Sequence, residues 1–64
     1  MKNVVSDAVA QWDYDLEIRN LYIRFHSSPR IYTYYDIDPE LADYFNYSHP
    51  WRKVGHEVKA HDWD

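Results

Sequence analysis

The spacing of apolar residues changes once along the chain, and this change constrains the fold more than any other feature. Before Asp38 the apolar residues recur with a period of two, most clearly at Leu21, Ile23 and Phe25. This period is typical of β-strands that bury one face. After Asp38 the spacing lengthens to three and four residues, which is typical of helices with one apolar face. The sequence therefore predicts an α+β fold in which the strands precede the helices.

Three antiparallel strands are predicted, over residues 8–14, 18–26 and 30–36. In the first of them, alternation places Ala10, Trp12 and Tyr14 on one face. Turns separate the strands, one at the acidic residues 13–17 and one at Ser27-Ser28-Pro29.

The connection between the second and third strands decides which tyrosines are buried. A connection over residues 26–29 places Ile23 opposite Tyr32 and Leu21 opposite Tyr34. Directly opposed residues share a face of the sheet, so both tyrosines are predicted to lie in the core. A slip of one residue would reverse this assignment. In the predicted register the other face carries Tyr22, Arg24, Thr33 and Tyr35.

The first helix is predicted to start at Asp38-Pro39-Glu40. Asp38 is suited to cap the helix, Pro39 suits its first position, and Glu40 complements the positive end of the helix dipole. The residues that follow with helical spacing are Leu41, Tyr44 and Phe45.

A second helix is predicted to start near Pro50, because Ser48-His49-Pro50 interrupts the first one. One stripe of this helix consists of Trp51, Val54 and Val58. Gly55 weakens the helix without forbidding it, and residues 60–64 are expected to be loosely held. The predicted architecture is one domain over residues 1–64, with its core in residues 5–59. A three-stranded antiparallel sheet is followed by two short helices packed on one face.

Size and composition narrow the function classes. The chain has 64 residues and no cysteine, so neither disulfides nor a thiolate metal site support the fold, and two Phe, seven Tyr and three Trp must supply much of the core. No apolar run approaches the ~18 residues of a membrane span, and no signal-peptide pattern is present, so a cytoplasmic location without membrane contact is expected. The net charge of −4 argues against nonspecific binding to nucleic acid.

The order of the short motifs resembles the KTSC domain, a family found at the C-terminus of some lysyl-tRNA synthetases and as free-standing small bacterial and phage proteins. The matching motifs are Ser6, Tyr14-Asp15, Leu21-x-Ile23-x-Phe25, Tyr32-Thr33-Tyr34, Ile37-x-Pro39 and Ser48. They cover roughly residues 5–59. The resemblance implies the same small α+β fold and the RNA binding that has been supposed for this family.

The polar residues do not form a pattern typical of catalysis. Two groups of carboxylates fall at predicted turns, where water surrounds them, whereas catalytic pairs need contrasting, partly desolvated environments. The two groups are Asp13, Asp15 and Glu17, and Asp36, Asp38, Glu40 and Asp43. These groups are interpreted either as a solvated surface or as one that a basic partner recognises. The histidines lack zinc-site spacing, and one glycine cannot form a phosphate loop. We therefore expect no enzymatic activity, metal, cofactor or small-molecule substrate.

Two binding hypotheses follow. In the first, the chain binds a protein through Tyr22, Arg24 and Tyr35, helped by Asp36 and Asp38, since Tyr and Arg dominate interface hot spots. The chain would then be an adaptor or an inhibitor, for example a phage inhibitor of a host nucleic-acid enzyme whose carboxylates stand in for phosphates.

In the second hypothesis, the same aromatic and arginine face binds RNA by stacking. Further candidates for contacts with a partner are Arg30, Trp51 and Arg52, with Lys53 and Lys59 on the last helix. The alternative is that these arginines have no binding function and only keep a partly exposed sheet soluble. The negative net charge favours the protein partner.

Overall fold

The computed structural model describes all 64 residues and confirms the α+β class with strands before helices. The strands are β1 Lys2–Asn3, β2 Val9–Asp15, β3 Asn20–Phe25 and β4 Ile31–Tyr34. The helices are α1 Pro39–Asp43, a 3-10 helix Tyr44–Asn46, and α2 Pro50–Lys59. The strands form one antiparallel sheet in the order β1-β2-β3-β4.

The sheet has four strands, whereas three were predicted. The additional strand β1 is only two residues long, and it sets Lys2 opposite Trp12 and Asn3 opposite Gln11. Both residues of β1 are exposed, so the strand shows no alternation that a sequence pattern can reveal. The Lys2 ammonium lies 4.6 Å from the centre of the Trp12 ring, a cation–π contact.

The predicted face of β2 is wrong at Ala10. The pairing with β3 shifts between Val9 and Gln11, and such a bulge adds one residue to the strand. Val9 therefore lies on the core side together with Trp12, and both are buried, while Ala10 is half-buried. The Ser6 hydroxyl accepts a hydrogen bond of 3.0 Å from the Val9 N–H and holds the entry to this strand.

The predicted register of the central hairpin is confirmed. Leu21 pairs with Tyr34 and Ile23 pairs with Tyr32. Tyr34 is 5% exposed, and Tyr32 packs at the edge of the same core. The two tyrosines thus face the helices, as the four-residue connection predicted.

The first helix begins at Pro39 as predicted, but Asp38 does not cap it with its side chain. The Asp38 carboxylate instead accepts a hydrogen bond of 2.9 Å from the Arg19 guanidinium. The buried residues of this segment are Ala42 and Phe45, whereas Tyr44 is exposed. The chain tightens here from an α-helix to a 3-10 helix, so positions three apart share the buried face.

The second helix begins at Pro50, as predicted. Its predicted stripe is confirmed, since Val54 and Val58 are buried and Trp51 packs against the core. With these helices on one side, the sheet and helices enclose a single apolar core. The opposite side of the sheet carries no helix, which confirms the packing on one face.

The sequence predicts a loosely held tail over residues 60–64, whereas in the structure the backbone of the tail pairs with β4. Thr33 exchanges two backbone hydrogen bonds with Asp64, of 2.9 and 2.8 Å, and the Tyr35 N–H donates to the Asp62 carbonyl at 2.9 Å. Trp63 bridges to Tyr34 in the same antiparallel pairing. The tail therefore adds a short paired segment to the sheet at the outer edge of β4. This pairing uses backbone groups, so the side chains of the tail gave no indication of it.

Candidate functional site

The uncovered side of the sheet brings together Tyr22, Arg24 and Tyr35, three of the five residues predicted to form the main binding surface. We call it the open face. Its members, from β1 to the tail, are Asn3, Gln11, Asp13, Asp15, Asn20, Tyr22, Arg24, Ile31, Thr33, Tyr35, Asp62 and Asp64. They share this face because residues opposite each other in neighbouring strands point to the same side, and every second residue of a strand does so.

Tyr22 and Arg24 occupy the middle of the open face, on the central strand β3, as predicted. Tyr22 lies between Asp13 and Thr33, and Arg24 lies between Gln11 and Ile31. Tyr22 and Arg24 are half-buried by these neighbours, whereas Ile31 is half-exposed to solvent.

Tyr35 is also on this face, one step beyond the last paired residue of β4, where the register of the hairpin places it opposite Asn20. Its side chain is 38% exposed. The Asn20 amide donates a hydrogen bond of 3.4 Å to the Tyr22 hydroxyl. We call these neighbouring positions of Tyr22, Asn20 and Tyr35 on β3 and β4 the tyrosine strip.

Arg24 is held by neutral groups. Its Nε donates to the Gln11 side-chain oxygen at 3.2 Å, and the Gln11 amide in turn donates to Asn3 at 3.2 Å. Arg24 makes no ion pair within the chain. These hydrogen bonds orient the Arg24 guanidinium without neutralising its charge. The terminal N–H groups of Arg24 are therefore available to a carboxylate or carbonyl of a partner.

Carboxylates border the tyrosine strip on both sides. Asp13 and Asp15 lie on β2, and Asp62 and Asp64 lie on the tail. Asp13 and Asp15 accept hydrogen bonds only from backbone N–H groups, at 2.9 and 3.0 Å. Asp64 is 4.0 Å from the Arg30 guanidinium, and both side chains are exposed, so this contact neutralises little charge. The open face therefore has Tyr22 and Arg24 at its centre and carboxylates on both sides of its tyrosines.

The remaining predicted residues lie elsewhere. Asp36 is exposed in the bend after Tyr35 and has a left-handed backbone with φ of 58°. Asp38 is engaged by Arg19, as described above. Arg52 pairs with Asp7 at 2.7 Å, and this hydrogen bond holds the pKa of the Asp7 carboxyl below its usual value. These residues do not join the tyrosine strip.

Trp51 belongs to a separate surface on the helix side of the sheet, between α2 and the tail, and Arg30 lies at its rim over the Tyr32 and Trp63 rings. We call it the aromatic groove. Its volume is about 340 Å³, and its lining residues are Phe25, Tyr32, Tyr34, Trp51, Lys59 and Trp63. Sequence reasoning assigned Tyr32 and Tyr34 to the core, where they do lie, but missed that Trp63 completes a groove beside them.

Burial affects two tyrosines of the helix side. Burial raises the pKa of the Tyr34 hydroxyl and that of the Tyr14 hydroxyl. At Tyr14 nearby charges also contribute, since Arg19 lowers the pKa and Asp38 raises it. The Tyr14 hydroxyl donates to the Ile37 carbonyl at 2.5 Å and so ties β2 to the segment before α1. Tyr34 belongs to the apolar core, and Tyr14 packs against it.

No cluster of three or more His, Cys, Asp or Glu side chains is arranged to hold a metal ion. None of the helices has the length and hydrophobicity that crossing a lipid bilayer requires. Comparison of the chain with protein-family models, with curated proteins and with solved structures found no match.

Proposed function

We propose that the chain is a non-catalytic protein-binding module whose open face binds a basic segment of a partner protein. The observation that carries this proposal is the strip of Tyr22 and Tyr35 between two borders of carboxylates. Aromatic rings offer a large rigid contact area at low entropic cost, and the bordering charges complement Lys and Arg side chains. The helices leave this face uncovered, so a partner can reach all of it.

The arrangement of the charges supports a role as an inhibitor of a nucleic-acid enzyme. Asp13 and Asp15 are separated from Asp62 and Asp64 by three strand spacings, or about 14 Å. This separation is similar to the major-groove width of B-DNA, about 12 Å. Carboxylates at such a separation fit a basic cleft that otherwise holds two phosphate backbones.

RNA binding by the same face is the second candidate, and the resemblance to the KTSC family favours it. We also retain membership in that family as a proposal, based on the order of motifs around Tyr32-x-Tyr34. The unpaired guanidinium of Arg24 suits a phosphate, whereas the carboxylates at the borders of the open face repel phosphates, an effect that salt screens over a Debye length of about 10 Å at 0.1 M. The charges therefore favour a basic protein segment.

Capture of partners from a lysate of the source cells tests the choice between protein and RNA. The immobilised wild type is compared with Tyr22→Ala and Arg24→Ala, after the fold of each variant has been checked by circular dichroism. Tyr47→Ala serves as control, because Tyr47 is an exposed tyrosine outside the open face. We expect both open-face variants to lose a protein partner that nuclease treatment does not release. Retention of all partners by both variants, or release of the partner by nuclease, would contradict the proposal.

A further inference from the structure

The aromatic groove lies on the opposite side of the sheet from the open face, and its chemistry is different. We propose that it is a second binding site, which takes an extended, proline-rich peptide segment carrying acidic residues. This inference does not depend on what the open face binds.

The walls of the groove are aromatic rings that meet at steep angles. Phe25 and Trp51 have ring centres 4.9 Å apart with planes at 75°, and Tyr32 and Trp63 have centres 5.6 Å apart with planes at 54°. Tyr34 lies 6.1 Å from Trp51 and is nearly buried. Rings this close are in contact with each other, so a ligand lies across their exposed edges and faces.

Trp63 is the exposed wall of the groove. It is 54% exposed although one side of its ring contacts Tyr32. Its backbone is fixed by the pairing of the tail with β4, so the ring is positioned before any ligand arrives. A ligand that covers this ring gains apolar contact without having to order the tail.

The groove has a volume of about 340 Å³, so it has room for a few compact side chains of a short segment.

Backbone pairing with β4 is not open to the ligand, because the tail already occupies that edge through Thr33 and Tyr35. A polyproline II segment needs no such pairing, since it has no hydrogen-bonded ladder and is stiff before binding. Segments of this kind dock into aromatic-lined grooves in several recognition domains. Among extended ligands, a proline-rich segment therefore fits this groove best.

The charges around the groove determine which residues accompany the prolines. Lys59 lines the groove, and the Arg30 guanidinium lies 4.4 Å from the centre of the Tyr32 ring and 5.7 Å from that of Trp63. No carboxylate side chain lines the groove itself. Asp64 lies 4.0 Å from the Arg30 guanidinium at the rim, but both side chains are exposed, so this weak contact leaves Arg30 available to a ligand. Acidic side chains of a ligand can thus reach a cation at the rim, whereas a cationic ligand, which aromatic rings otherwise attract, meets like charge.

The test uses a short synthetic peptide that repeats Pro-Pro-Glu, titrated into the protein while the indole N–H signals of the tryptophans are followed by NMR. We expect saturable shifts of the Trp51 and Trp63 signals. Replacing every Pro by Ala, or every Glu by Lys, should weaken binding about tenfold or more. Equal binding of the Ala peptide would contradict a polyproline ligand, and equal binding of the Lys peptide would contradict the charge argument.

Variants locate the site. Trp63→Ala should weaken binding of the Glu peptide, whereas Tyr47→Ala should leave it unchanged. Arg30→Glu keeps the aromatic walls, and it should weaken binding of the Glu peptide while strengthening that of the Lys peptide. If Arg30→Glu has no effect on either peptide, or if single-stranded oligothymidylate shifts the two indole signals and the Glu peptide does not, the proposal is overturned.

Discussion

The indole ring of Trp51 lies against Gly55, one turn further along α2, so closely that a Cβ atom at Gly55 would be 3.1 Å from the ring. Glycine at this position weakens a helix by about 1 kcal/mol relative to alanine. Because glycine has no side chain, Gly55 leaves room for the Trp51 ring to lie along the helix and reach Phe25 and Tyr34. Gly55 therefore lowers the intrinsic stability of α2 but permits the packing of the aromatic rings.

Substituting Gly55→Ala should therefore fail to stabilise the protein. The gain in helix propensity, about 1 kcal/mol, is offset because Trp51 must move by a few tenths of an ångström against its neighbours. Urea unfolding checks this, with His56→Ala on the exposed side of α2 as the matched control. An increase in stability of about 1 kcal/mol in Gly55→Ala would show that Trp51 moves without cost.

Tyr34 and Tyr35 are adjacent in sequence and lie on opposite faces of the sheet, which makes them a matched pair. Tyr34→Ala should lower the free energy of unfolding by about 3–5 kcal/mol, because a buried ring leaves a cavity. Tyr35→Ala should change it by about 0.5 kcal/mol or less, as is usual for a surface side chain. Thermal unfolding followed by circular dichroism distinguishes the two. Similar losses in both variants would contradict the register of the hairpin.

The raised pKa values of Tyr34 and Tyr14 lead us to expect a loss of stability at alkaline pH. A hydroxyl whose pKa is raised in the folded state stabilises the protein fully below its unfolded pKa, about 10. That contribution disappears as the pH rises through the folded pKa. The free energy of unfolding should thus fall above about pH 10.

Tyr34→Phe retains the ring and removes the titrating group, so its stability should fall less between about pH 9 and pH 11 than that of the wild type. The measurement is urea unfolding at several pH values, with Tyr47→Phe as the exposed control. An identical pH dependence in wild type and Tyr34→Phe would show that Tyr34 does not contribute to the alkaline loss.

The pairing of the tail with β4 predicts slow hydrogen exchange at two amides. The N–H groups of Thr33 and Tyr35 donate to the tail, whereas that of Tyr32 lies on the side of β4 that faces β3. A chain shortened by residues 62–64 should therefore exchange the Thr33 and Tyr35 amides rapidly and keep the Tyr32 amide protected. Rapid exchange of Thr33 and Tyr35 already in the full chain would show that the tail is loose in solution.

The parts of the fold that follow from side-chain patterns were predictable, and those that depend on backbone pairing were not. The alternation around Ile23 and a four-residue turn were enough to give the register of the hairpin, because only one register buries the apolar set. Strand β1 and the tail pair through backbone groups of exposed residues, so no hydrophobic pattern marks them. The bulge at Ala10 was missed because it interrupts the alternation on which the prediction relied.

The candidate site divides in the same way. Tyr22 and Arg24 were predictable, since they alternate with buried residues of the central strand. The negative border formed by Asp62 and Asp64, and the groove wall formed by Trp63, depend on where the tail lies. That position is set by the backbone pairing with Thr33, which the sequence did not indicate.

The central claim, that the open face binds a basic segment, can be measured by amide chemical shifts. A Lys/Arg-rich peptide is titrated into the wild type and into a variant with Asp13→Asn and Asp62→Asn, one carboxylate from each border. A single-stranded RNA of similar length is titrated separately. We predict saturable shifts around Tyr22, Arg24 and Tyr35 with the peptide, weaker binding in the variant, and no such shifts with RNA. Shifts on this face with RNA alone, or peptide binding that the two Asn substitutions leave unchanged, would contradict the claim.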